Sequence, residues 1–224
     1  MKMPIVWRAL IGLGAFIVLV GLIILVGIVP IGSQNLQTQD KNLNDFTVID
    51  LNNGFQAQIT QGSSYSVSIT ADSNVIDKID AVQTNNILTI GLQPGTLFVF
   101  GTLKAIITMP DLQEIHLSGG ANANVSGFVL AHELLVSEEG GSKLQMEGQA
   151  SNLSAVCTGG SSLELSSLEV NQAAITMDGG STGTTNVTGL LNADLNGGST
   201  LTYTGNPTLG SIVTSGLSTI SREP

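Results

Sequence analysis

Few side chains in this 224-residue chain belong to the types that carry chemistry. Cys157 is its single cysteine, and His116 and His132 are its two histidines. A thiol becomes a nucleophile when a base and an orienting group stand within hydrogen-bond reach. One cysteine forms no intrachain disulfide and no pair of zinc-type Cys motifs. Two isolated histidines make neither a metal cluster nor a catalytic triad. Glu139 and Asp178 are the carboxylates to weigh for a divalent cation or for acid–base work on a glycan. The elements that carry these residues decide whether any of them meet.

Those elements are marked by a repeat. The pair Gly-Gly recurs at Gly119-Gly120, Gly140-Gly141, Gly159-Gly160, Gly179-Gly180 and Gly197-Gly198, in steps of 21, 19, 20 and 18 residues. A period near 20 filled with short β-type segments is the sign of a stacked solenoid. With the pairs in register, the position four before the first glycine reads Ile115, Val136, Ala155, Ile175, Ala193. Two before it come Leu117, Glu138, Cys157, Met177, Leu195. Successive side chains of a strand face opposite sides, so these columns point inward and His116, Ser137, Val156, Thr176 and Asp194 outward. Four and six after the first glycine, the columns Ala123, Leu144, Leu163, Gly183, Leu201 and Val125, Met146, Leu165, Thr185, Tyr203 also point inward. The glycine pairs are bends that need positive φ or close backbone approach. A second corner is expected at Gly127, Gly148 and Gly205.

This register settles the chemical reading. Cys157 becomes a small buried core residue. Glu139 and Asp178 share an outward column two rungs apart, about 10 Å at the spacing of paired strands. That is too far to hold one Ca²⁺, whose oxygen ligands sit at about 2.3–2.6 Å. No metal site, cofactor site or catalytic set is expected. One residue breaks the pattern: Glu138 falls on an inward column, which questions the local register or marks a distortion.

Before the repeats, residues 45–92 alternate apolar and polar as strands, Phe55-Ala57-Ile59 and Tyr65-Val67-Ile69 most plainly, and read as a β-meander. Residues 30–44 are polar and read as a tether. Ala9–Val29 is an uncharged run of 21 residues, about 31 Å as a helix, which matches a hydrocarbon core of roughly 30 Å. Lys2 and Arg8 precede it, so residues 1–8 are expected in the cytoplasm, the run in the membrane as a signal-anchor, and the body outside. All 17 acidic residues lie in that body against five of the seven basic ones. With no basic stripe, nucleic acid is not an expected partner.

The string FQAQITQGSSYSVSITAD, then ITMPDL leading into LSGGA, then DGGST and a late LTYTGNP, resembles the head GIN domain family over residues 45–221. That resemblance implies a β-helix and an auto-transporter adhesin, and supplies no catalytic residues. The chain is therefore expected to be all-β. A parallel β-helix of about 20 residues per rung follows the meander, with one transmembrane helix at the N-terminus. Its expected role is a single-pass, surface-exposed adhesion module that binds a cell-surface protein or a glycan. A structural or envelope-stress component without an external ligand, and a glycan-active enzyme, are the alternatives.

Overall fold

Alternating side chains with a glycine pair every twenty residues fold as expected into a β-solenoid. The computed structural model describes residues 31–98 and 100–223. The expected membrane span Ala9–Val29 lies outside them, and no helix among the described residues is long and apolar enough to cross a membrane. The strands in chain order are β1 (Leu36–Lys41), β2 (Val48–Leu51), β3 (Gln56–Gln61), β4 (Ser66–Asp72), β5 (Ile79–Thr84), β6 (Ile87–Leu92), β7 (Leu103–Met109) and β8 (Glu114–Leu117). They continue as β9 (Asn122–Glu138), β10 (Lys143–Cys157), β11 (Ser162–Met177), β12 (Thr182–Leu195), β13 (Thr200–Gly205), β14 (Thr208–Thr214) and β15 (Thr219–Arg222).

Two parallel ladders run the length of the solenoid, one on each side of the glycine corner. After the corner, β7, β3, β9, β10, β11, β12, β13 and β15 lie side by side. Before it, β6, β2 and β8 are followed by the later halves of β9 to β12 and then by β14. The file Ile115, Val136, Ala155, Ile175, Ala193 is paired residue to residue and is no more than 4% exposed. The inward columns are thus one continuous core, as the spacing predicts.

The meander is corrected. β2 pairs in parallel with β6 and β8, and β3 with β7 and β9, so residues 48–61 already form a rung of the helix. Its corner is Asn53-Gly54, at φ 58° and 74°, in place of a glycine pair. The chain then leaves through β4 and β5, returns as β6 and β7 on the outer side of that rung, and crosses it to reach β8. Antiparallel strands finish this end, with β4 on β7, β1 on β4, and β5 on β6.

The tether is corrected as well, since β1 lies within it and pairs along its whole length with β4. The buried Asp72 carboxylate accepts from the Gln34 and Thr102 backbone amides at 2.6 and 2.7 Å. Asn74 donates its side-chain amide to the Ile31 carbonyl. Residues 31–41 are therefore bound into the cap of the rod.

At the repeating corner both glycines adopt positive φ, from 59° to 84° across the five pairs. A Cβ on the first glycine would press on the corner beneath it: at Gly179 it would stand 3.0 Å from the backbone nitrogen of Gly159. On the second, Gly160 for example, it would meet nothing within 4 Å. A buried serine closes four of these corners. Ser142, Ser161, Ser181 and Ser199 each donate a hydroxyl at 2.7 Å to the carbonyl three residues earlier. At the second corner, Gly148 at φ 137° leaves no room for a side chain, because a Cβ would overlap the Phe128 carbonyl oxygen.

Glu138 keeps the register that its type called into question. It pairs with Leu117 below and Cys157 above, fully buried, and neither carboxyl oxygen meets a hydrogen-bond partner. Burial pushes its pKa up to about 8. Nearby, the Cys157 thiol and the Leu144 backbone pull it back, without hydrogen-bond geometry, while the charge of Glu164 adds to the rise. The folded protein thus holds Glu138 as a neutral acid through much of the neutral range.

Two predictions follow from the core and its corners. Replacement by alanine should destabilise in the order Gly148, then Gly179, then Gly160, in urea unfolding. Gly160→Ala should cost only the left-handed backbone penalty of roughly 1–2 kcal/mol. For Glu138, a carboxyl whose pKa rises on folding contributes least destabilisation below its unfolded value of 4.5 and most above about 8. The melting temperature of the wild-type protein should fall across that window. In Glu138→Met that fall should largely vanish, with a gain on the order of a few kcal/mol at pH 9.

Candidate functional site

Of the chemistry-bearing residues of the sequence, His116 and Glu139 line a common shallow hollow, while Cys157, His132 and Asp178 lie apart from it. Cys157 is buried, and burial together with the neighbouring Glu138 charge raises its pKa, so the thiol stays protonated and has no nucleophilic character. His116 lies on the outward face before the corner, 3.0 Å from Glu114 and beside Ser137. His132 stands at a third corner, where β9 bends towards its second half. Its Nε2 is 2.8 Å from Asp111 and its Nδ1 is 2.8 Å from the Glu133 carbonyl. Asp178 accepts a hydrogen bond from the backbone amide of Gly179, so its carboxylate belongs to the corner, and Glu139 stands exposed two rungs below. No group of three or more His, Cys, Asp or Glu among the described residues is placed to hold a metal ion.

What the coils do bring together is a polar groove on the outward side of the face after the glycine corner. Its floor is a single file across five strands, Gln58, Asn124, Gln145, Glu164 and Thr184, each paired in register with the next. Strand spacing sets these side chains about 4.8 Å apart. Glu147, Ser166 and Ser167 stand along one edge. The groove has a volume of about 470 Å³. That edge has a local cause: β11 carries Ser166, Ser167 and Leu168 between its pairings at Leu165 and Glu169, whereas Thr185 and Asn186 of β12 are consecutive. Of these, Ser166 and Ser167 are exposed and Leu168 is buried in the core, and bulges of this kind re-aim side chains beside binding sites.

The charged groups at the groove are Glu164 in its floor and Glu147 at its edge. Lys143 lies beside the file, and its Nζ is 2.7 Å from the Glu164 carboxylate. Glu147 is exposed and has no such partner among the described residues. The file was within reach of sequence reasoning, since Asn124, Gln145, Glu164, Thr184 and Thr202 are each the fifth residue after a first glycine. It lies between the two inward columns that were aligned. The bulge at Ser166-Ser167 leaves no such mark.

The His132–Asp111 contact makes a testable pair. The side-chain hydrogen bond to Asp111 and then the backbone bond to Glu133 raise the histidine pKa from 6.5, against a smaller effect of burial. The stabilisation is therefore complete below pH 6.5 and is lost as pH rises through the folded value. With both side chains more than a third exposed, it should amount to less than about 1 kcal/mol. An NMR titration should place the His132 midpoint above 6.5, and Asp111→Asn should lower it.

No curated protein matches the chain in sequence. Among solved structures, one described as a "putative adhesin" from Bacteroides fragilis superposes with a TM-score of 0.71 at 21% identity, covering 87% of this chain and 100% of that one. A "putative lipid binding protein" from Parabacteroides distasonis gives 0.56 at 14% identity, with coverage of 87% and 99%. A "putative adhesin" from Parabacteroides merdae gives 0.50 at 16%, again with 87% and 99%. At these identities the likeness speaks for the fold. A family model matches residues 45–207, and by that match the chain belongs to the family described as "putative auto-transporter adhesin, head GIN domain".

Proposed function

We propose that this protein is a non-catalytic adhesion module displayed outside a membrane and held there by the segment Ala9–Val29. The observation that carries the reading is the rod itself. Its interior is filled by side chains alone, while its outward faces present registered rows of polar groups to a partner. Membership of an adhesin-like family supports a cell-surface role. The apolar run and the basic residues before it support the anchor and the orientation, with the acidic body outside. The single thiol, Cys157, is buried in the core, which supports the non-catalytic reading. A broad face read by a cell-surface protein or a glycan fits the family and the geometry together.

Two measurements test this reading. With an epitope at the C-terminus, an impermeant antibody should label intact cells, and alkaline carbonate should leave the protein in the membrane pellet unless residues 1–30 are deleted. Cells lacking the protein should lose adhesion to their natural surface. Labelling only after permeabilisation, or release by carbonate, would overturn the anchor and its orientation. Undiminished adhesion in the deletion strain would overturn the adhesive role.

A further inference from the structure

We propose that the groove above the file Gln58, Asn124, Gln145, Glu164 and Thr184 binds a neutral, polyhydroxylated glycan laid across the strands. The inference rests on the adhesive reading and names its ligand class and its site.

The file stacks three amides in a row, Gln58, Asn124 and Gln145, on neighbouring strands. At three other outward positions, facing hydroxyls bond to one another between neighbouring strands, Thr38 with Thr70, Thr60 with Thr108 and Thr219 with Thr200. Stacked amides have the same option, and in Asn and Gln ladders they take it. Here, among the described residues, the Gln58, Asn124 and Gln145 side chains meet no hydrogen-bond partner in the protein. Three amides in a row, with no structural bond to make, face an open groove whose edge is pushed out by the Ser166-Ser167 bulge.

The chemistry of that surface selects the ligand. Each amide offers two donors and an acceptor. Adjacent sugar hydroxyls both give and take hydrogen bonds, so a diol can engage one amide twice. Glu147 and Glu164 add acceptors and repel carboxylated or sulfated sugars, and the Lys143 ammonium beside them is already held by Glu164. A peptide strand would need an unpaired sheet edge for its backbone. The groove instead crosses strands β3, β9, β10, β11 and β12, which are already hydrogen-bonded to their neighbours. An acyl chain would need apolar lining, whereas the apolar residues at this groove, Val125 and Met146, are buried beneath it.

The test uses the full chain in a detergent whose headgroup contains no sugar. Hexamers of glucose, mannose and N-acetylglucosamine are titrated against it by calorimetry, beside oligogalacturonate and a sulfated oligosaccharide. At least one neutral hexamer should bind and the anionic oligomers should not. The double variant Asn124→Ala/Gln145→Ala, altered at exposed positions, should weaken binding about tenfold or more, as expected for losing two or more hydrogen bonds. Thr176→Ala, on the outward face before the glycine corner, should leave it unchanged. The inference is overturned if no neutral hexamer binds, if the double variant binds as the wild type does, or if the anionic oligomers bind equally well. Adhesion of cells carrying the double variant separates the two readings. If it equals wild-type adhesion, the groove is wrong and the adhesive role stands. If wild-type cells do not adhere at all, the adhesive role is the part that fails.

Discussion

Backbone stacked directly on backbone at the glycine corner is the contact that everything else in this rod requires. A Cβ on the first glycine would come within 3.1, 3.0 and 2.7 Å of the backbone nitrogen below at Gly159, Gly179 and Gly197. Positive φ and close approach are demanded by the same residue, so glycine meets two independent conditions at once. With that corner held, the strands on both sides inherit their register. Inward columns then align without any choice by individual side chains. The buried serine that follows supports the arrangement by using its hydroxyl on the carbonyl at the start of the turn.

The same constraint explains what the sequence reveals and what it conceals. Five glycine pairs made the register of β9 to β13 readable, and with it the burial of Cys157 and the outward placement of His116. The rung before them was hidden because Asn53-Gly54 does the work of a glycine pair, asparagine being among the residues that reach the left-handed region at modest cost. Its position was also concealed by topology. β6 and β7 follow β2 and β3 in the chain yet lie outside them in the stack, so the order along the chain is not the order along the rod. The segment read as a tether is polar because β1 lies at the margin of the cap, where both of its faces are largely in water. Polarity there reports exposure and carries no information about whether the backbone is paired.

Glu138 shows how strongly the corners dictate the core. Its neighbours along the file are leucine, cysteine, methionine and leucine, and nothing local favours a carboxyl among them. A one-residue slip would put the acid in water, but it would turn every other side chain of the strand to the wrong face. It would also pull Gly140 off Gly119. Accepting one neutral acid in the interior is the smaller loss. The register doubt raised by this residue is thus resolved in favour of the repeat, with protonation as the accommodation.

Because stability is carried by the interior and the corners, the outward positions are left largely unconstrained. A substitution at Asn124 or Gln145 disturbs neither the inward column on each side nor the glycine stack. Any outward row can therefore acquire amides, hydroxyls or carboxylates in sequence, each set a fixed strand spacing from the next. A repeating surface of that kind suits weak contacts made many times over a repeating ligand, since linked contacts raise one another's effective concentration. The low aromatic content belongs to the same logic: without large stacking platforms, the proposed groove would draw its grip from the length of the row. In this rod, the number of coils that carry the row sets the number of contacts a bound polymer can make.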